Sequence, residues 1–230
     1  MSSRHVAGVP GTWRLAGTGP HAGATVALAG VGPAEALGAL LLVHGRGASA
    51  LDILELGAAI APPGWLLAAP QAAGGSWYPQ RFLAPTGANE PWLGSALAVL
   101  DETAARLAAA GLGGERLAVA GFSQGGCLGL EWGFRRGGPF AALLALSGAL
   151  LGPLGSTRTP GGALAGTPVL IAGAERDPHV PGAHLRESAE QFARQGAEVD
   201  LRIAGGAGHG IRPSELAAAR ALLARAARHQ

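Results

Sequence analysis

From residue 39 onward, short apolar runs alternate with longer stretches of helical period. The runs are Ala39–His44, Trp65–Ala69, Leu117–Gly121, Ala141–Ser147, Pro168–Ala172 and Val199–Ile203. Most are continuously apolar, the pattern of strands covered by helices on both faces. A weaker run at Ala24–Gly30, with another at Gly11–Ala16, would add antiparallel edge strands. Helices are expected at Leu51–Ile60, Pro91–Ala110, Gln124–Gly133, Gly182–Gln195 and Pro213–Arg228. The second carries Leu93, Leu97, Leu100 and Leu107 at helical spacing, with Pro91 near its start and Gly111 as a left-handed stop. Pro213, Ser214 and Glu215 open the last.

Strands alternating with helices imply a mostly parallel sheet with right-handed crossovers. Ligands of such sheets bind beyond the carboxyl ends of the strands, so chemistry is sought in the loops that follow strands. Two of the loops are long, Gly74–Pro91 and Gly152–Gly166. No repeat or linker divides the chain, and 230 residues fit one domain spanning 1–230. No helical insertion is large enough for a cap domain.

Composition narrows the function. Hydrophobic residues make up 48% of the chain and charged residues 14%, which excludes disorder. The formal net charge is +2 and every basic residue is Arg, with no dense basic stripe, so no nucleic-acid partner is expected. Arg220, Arg225 and Arg228 read as a solvated helix face. Cys127 is the one cysteine, which fits a reducing compartment. The N-terminal MSSRHVAGVPGTW lacks the apolar core of a signal peptide. The apolar stretches near Leu37–Val43 and Phe140–Leu151 are too short or too Gly-broken to span a bilayer. The expectation is a cytoplasmic protein without stable membrane insertion.

Gly121-Phe122-Ser123-Gln124-Gly125 matches G-x-S-x-G directly after a strand and before a helix. That is the context of a nucleophile elbow, which lifts a serine hydroxyl clear of the sheet at a helix N-terminus. The alternative is an ordinary Gly-rich turn with a capping serine. A serine nucleophile needs a base, and the base an orienting acid. The chain order Ser, acid, His then selects Asp177 and His209. His209 lies in a Gly-rich loop after the last strand, whereas His184 falls in a helix and His179 is two residues from Asp177. His5 and His21 precede the core, and His229 lies in the tail. Glu175 is the rival acid, and Asp177 is preferred because Pro178 stiffens the loop after it.

Acyl transfer also needs donors aimed at the oxyanion. The backbone amide of Gln124 is one, and the loop His44-Gly45-Arg46-Gly47 offers a second at Arg46. His44 reads as a brace for that loop. Gly45-Arg46-Gly47-Ala48-Ser49-Ala50 formally matches a dinucleotide fingerprint, but the acid expected about twenty positions on is missing from Ala68-Ala69-Pro70-Gln71. A P-loop is excluded by the absence of Lys, and no H-E-x-x-H or Cys/His cluster suggests a metal site.

HGRGAS at 44–49, SWYPQRF at 76–82, GFSQGG at 121–126, DPHVP at 177–181 and GHGI at 208–211 together resemble the phospholipase/carboxylesterase family. These are small α/β hydrolases that include acyl-protein thioesterases. The resemblance covers about residues 39–212. It implies an α/β-hydrolase fold and hydrolysis of carboxylic esters or thioesters through an acyl-enzyme, without cofactor. It carries over Ser123, Asp177 and His209 as triad and Arg46 and Gln124 as oxyanion donors. The segment SWYPQRFLAPTGANEPW departs from acyl-protein thioesterases and speaks against protein depalmitoylation.

That segment holds Trp77, Tyr78, Phe82 and Trp92, four of the chain's eleven Phe, Trp and Tyr residues. Such crowding either walls an apolar substrate pocket or staples a long loop to the core. Arg46, Arg81 and Arg176 would converge at the mouth and favour an anionic substrate group. The expected substrate is a small-molecule ester of small to medium size. Rival readings are a thioesterase or serine peptidase of this fold, or a binding protein on a hydrolase scaffold. Ala149–Leu154 is either a homodimer patch or core.

Overall fold

The computed structural model describes residues 11–229; His5, the N-terminal reading of residues 1–10 and the side chain of His229 fall outside it. In chain order the strands are β1 (Gly11–Arg14), β2 (Thr25–Gly30), β3 (Gly38–Val43), β4 (Trp65–Pro70), β5 (Leu117–Phe122), β6 (Ala142–Leu146), β7 (Pro168–Arg176) and β8 (Glu198–Ala207). The helices are α1 (Ala50–Ile60), α2 (Trp92–Ala109), α3 (Gln124–Arg136), α4 (Gly182–Arg194) and α5 (Pro213–Ala226). The strands form one sheet in the order β1-β2-β4-β3-β5-β6-β7-β8. β1 and β2 pair antiparallel at one edge, and every pair from β4 to β8 is parallel.

The uninterrupted apolar strands are explained by their two-sided cover. Along β3, Leu41 and Val43 belong to the core that α2, α3 and α4 cover, while Leu40 and Leu42 belong to the core that α1 and α5 cover. Alternate side chains of one strand therefore fill two separate cores. This eight-stranded, mostly parallel sheet with helices on both faces is the α/β-hydrolase fold, and among the described residues no domain caps its carboxyl edge. Local signals set the helix ends. Ser49 and Asp52 form a capping box at α1, and Glu215 accepts from the Arg212 amide to open α5. Gly111, at φ +77°, turns the chain after α2.

Three boundaries depart from the sequence expectation. α3 continues three residues past Gly133, because that glycine lets the helix lie against β6: a Cβ there would come within 2.7 Å of Leu143 Cδ1. β7 and β8 run on to Arg176 and Ala207, paired through a bulge at Ala174/Arg176. The loop after β4 contains two 3-10 turns, Ala73–Gly75 and Thr86–Asn89. Ala149 to Leu151 are core, whereas Leu154 is exposed. Among the described residues, no helix is long and apolar enough to cross a membrane.

Candidate functional site

Ser123 stands between β5 and α3 at φ 54°, ψ −122°, a conformation that costs on the order of 1–3 kcal/mol and persists only where its surroundings impose it. They do so by close backbone approach. A Cβ on Gly125 would strike the Val43 and His44 carbonyls, and one on Gly121 would strike the backbone of Gly125. The Ser123 amide donates to the Leu146 carbonyl at 3.0 Å, tying the turn to β6.

The other two residues come from the extended β7–β8 pair. Arg176 and Ala207 are the last paired residues, so the chain leaves the sheet at adjacent points just before Asp177 and His209. His209 Nε2 lies 2.7 Å from Ser123 Oγ, and His209 Nδ1 lies 2.7 Å from Asp177 Oδ2. The carboxylate only accepts, so Nδ1 carries the proton and Nε2 is free to take one from the serine. The Asp177 side chain is fully buried, and its Oδ1 accepts from the amides of His179 at 2.8 Å and Val180 at 3.0 Å. Glu175 binds Arg186 at the surface instead.

Gln124 begins α3, so its amide has no acceptor within the helix. The backbone of Gly45 lies against Ser123: a Cβ there would be 3.5 Å from Ser123 Cβ. The Arg46 amide follows it. Among the described residues, neither the Arg46 nor the Gln124 amide donates to a backbone carbonyl outside the regular elements. Both side chains grip the loop after β4. Gln124 Oε1 accepts from the Trp77 amide at 3.0 Å and its Nε2 donates to the Tyr78 carbonyl at 2.8 Å. Arg46 donates to the carbonyls of Tyr78, Pro79 and Gln80.

A cleft of about 440 Å³ opens over Ser123 and His209. Tyr78, Arg81 and Phe82 line it as expected, together with Arg46 and Gln124. Trp77 and Trp92 do not. Trp77 is fully buried, its indole donating to the His44 carbonyl at 2.9 Å, and its ring packs against His44 and His21. Trp92 packs edge-on against His21. These two tryptophans staple the loop, so the expectation that they wall the pocket is corrected. Arg176 is exposed and does not reach the cleft either.

His44 and His21 are braces. His44 Nε2 accepts from the Ala72 amide while Nδ1 donates to the Gly45 carbonyl. His21 Nδ1 accepts from the Ala73 amide while Nε2 donates to the Trp77 carbonyl. Burial holds both imidazoles below their ordinary pKa, in the neutral form these bonds require.

Sequence reasoning missed Phe122, Cys127, His179 and Val180 in the cleft wall. Phe122 packs on His209 at 5.2 Å between ring centres, and His179 meets it edge-on at 4.8 Å. The signal for His179 was its place in the turn that Asp177 caps. Cys127 is no rival nucleophile, because burial pushes its thiol up to about 12. Among the described residues, no group of three or more His, Cys, Asp or Glu is placed to hold a metal ion.

Comparison with known proteins agrees with this arrangement. A profile of the phospholipase/carboxylesterase family matches residues 32–226. A phospholipase/carboxylesterase from Dyadobacter fermentans superposes with TM-score 0.83 at 34% identity, covering 86% of this chain and 95% of that one. Esterase PE8 gives TM-score 0.69 at 25% identity, over 86% and 96% of the two chains. A carboxylesterase from Mesorhizobium loti gives 0.68 at 25% identity, over 87% and 94%. No curated protein sequence matches the chain. With the elbow, the sheet order and the profile in agreement over nearly the whole described length, the chain belongs to the phospholipase/carboxylesterase family.

Proposed function

We propose that the protein is a serine esterase that cleaves carboxylic esters of small to medium size through an acyl-enzyme. The observation that carries this reading is the continuous chain of two 2.7 Å contacts from Ser123 through His209 to Asp177. Ser123 Oγ attacks the ester carbonyl carbon as its proton passes to His209 Nε2. The carbonyl oxygen takes the electron pair and is met by the backbone amides of Arg46 and Gln124. Collapse of the tetrahedral intermediate breaks the C–O bond, and His209 returns its proton to the departing alcohol. Water, deprotonated by the same imidazole, then attacks the acyl-serine and releases the acid and Ser123. Asp177 holds the Nδ1–H tautomer and stabilises the imidazolium formed in each half. The cycle calls for no cofactor.

A cleft of about 440 Å³ suits a drug-sized or smaller ester, with Tyr78, Phe82, Phe122 and Val180 as its apolar surface. The test is hydrolysis of 4-nitrophenyl esters from C2 to C12 by the wild type and Ser123→Ala. Removal of the nucleophile should lower kcat by about four to six powers of ten. Turnover that survives in Ser123→Ala would overturn the assignment.

A further inference from the structure

The lining of the cleft is basic. Arg46, Arg81, His179 and His209 line it, and no carboxylate does. The carboxylate nearest the chemistry, Asp177, has no exposed side-chain surface, and its oxygens are occupied by His209 and by the amides of residues 179 and 180. Several other arginines pair with acids, Arg106 with Glu102, Arg135 with Glu131, Arg186 with Glu175 and Arg212 with Glu215, while Arg116 and Arg220 bond main-chain carbonyls away from the cleft. Among the described residues, neither Arg46 nor Arg81 has such a partner. Their hydrogen bonds go to main-chain carbonyls, of residues 78, 79 and 80 for Arg46 and of Pro178 for Arg81. A carbonyl satisfies an N–H donor but leaves the charge of the guanidinium standing.

The two arginines differ in how firmly they are engaged. Arg46 is held by three contacts of 2.8–2.9 Å that fix the loop. Arg81 makes one contact, 3.1 Å to Pro178 on the opposite wall, although a guanidinium offers five N–H donors. The remaining donors of Arg81 are available to a ligand in the cleft. A carboxylate in reach of this fork would gain a charge-assisted bond, about twice as strong as one between neutral groups. Phe82, Phe122 and Val180 set apolar, low-dielectric walls beside these charges, and such walls focus a field.

We propose that the physiological substrates are esters that carry a carboxylate, held by Arg81 in the field of Arg46. This rests on the esterase reading above and narrows it to a substrate class. The test compares kcat/KM of the full chain for two matched pairs, each divided by the uncatalysed rate. One pair is the mono-4-nitrophenyl ester of suberate, whose carboxylate is too distant to attack its own ester, against 4-nitrophenyl octanoate, with the anion on the acyl side. The other is 4-acetoxybenzoate against its methyl ester, with the anion on the leaving group.

In at least one pair the anionic ester is expected to lead by about tenfold, the size of one charge-assisted hydrogen bond. The pair that responds tells on which side of the scissile bond Arg81 acts. Raising salt from 0.1 M to 1 M shortens the screening length from about 10 Å to about 3 Å and should shrink the lead. Arg81→Gln should bring the ratio of anionic to neutral substrate near one, and Arg81→Lys should restore part of it. A ratio taken within one variant is independent of any general loss of activity. Absence of an anionic lead in both wild-type pairs overturns the proposal, as does a lead that persists in Arg81→Gln. If the neutral esters are still cleaved in a Ser123-dependent way, the esterase reading stands without it. If none of the four esters is cleaved through Ser123, both fall.

Discussion

Replacing the side chain of Gln124 tests whether the residue after the nucleophile also anchors the cleft wall. The side chain is only 6% exposed and bridges α3 to the loop after β4. Its two contacts are not equivalent. The Tyr78 carbonyl accepts from Gln124 Nε2 and also from Arg46 at 2.8 Å and Ser76 Oγ at 3.1 Å, so it keeps partners in Gln124→Ala. The Trp77 amide, in a fully buried residue, loses its acceptor. An orphaned buried donor costs about 1–3 kcal/mol. The one methylene removed adds about 0.8 kcal/mol. The expected loss is therefore about 2–4 kcal/mol, read as a lower urea midpoint at unchanged slope, or as about 2–4 °C in Tm per kcal/mol for a chain of this size. Gln124→Glu adds a diagnostic. Its carboxylate still accepts from the Trp77 amide, but the second oxygen faces the Tyr78 carbonyl across the 2.8 Å now spanned by a hydrogen bond. That oxygen repels the carbonyl until it is protonated, so the folded carboxyl has a raised pKa. The folded variant then binds more protons than the unfolded chain as pH falls toward the ordinary carboxyl range, and its deficit should shrink. Gln124→Ala unfolding at the wild-type midpoint would refute the reasoning and leave Arg46, His21 and the packing of Trp77 as the loop's anchors.

Two further outcomes follow from the same geometry. Asp177→Asn keeps an acceptor for the amides of residues 179 and 180 but removes the charge that fixes the His209 tautomer, so kcat on a 4-nitrophenyl ester should fall by about four powers of ten; a loss under tenfold would show that His209 is oriented by something else. His21 and His44 are held below their ordinary value of 6.5 by burial, so the unfolded chain takes up protons there before the folded one does. The stability they contribute is present above pH 6.5 and is lost as pH falls through their lower folded values, and the urea midpoint should decline over that window less steeply in His44→Gln than in the wild type.

Much of the site was legible because it rests on backbone constraints that only particular residues satisfy. Gly121 and Gly125 flank Ser123 because neighbouring main chain leaves no room for a Cβ, and that demand is written in the sequence. Asp177 and His209 were recoverable because they follow the ends of two strands in a fixed chain order. What stayed hidden depends on which way a side chain turns. Trp77 and Tyr78 are adjacent and equally aromatic, yet one turns toward His21 and His44 and the other toward the cleft. No composition distinguishes them. His179 reaches His209 because Asp177 Oδ1 binds the next two free amides and curls the chain back, a turn that is visible only once the carboxylate is placed. Gly133 is the last residue of the expected helix but in the structure is a contact with Leu143 inside it, because a glycine admits close packing through its lack of a side chain. The reach of β7 to Arg176 was obscured by its polar end, Glu175-Arg176, which runs beyond the covered part of the sheet.

The double use of Arg46 and Gln124 sets how this cleft can change. Each offers a backbone amide to the proposed oxyanion while its side chain holds residues 77–80 in place. The cleft wall and the oxyanion site are thus mechanically one unit. A substitution that shifts Tyr78 or Pro79 pulls on the residues that must meet the developing charge, and displacement of such donors is costly in kcat. Beyond Gln80 the constraint relaxes: Arg81 to Gly87 make none of these contacts with Arg46 or Gln124. Selectivity gained through Arg81, which is tied only to Pro178, can therefore vary without disturbing the oxyanion donors. Variation at Tyr78 cannot, because any change there reaches the amides through two side chains at once.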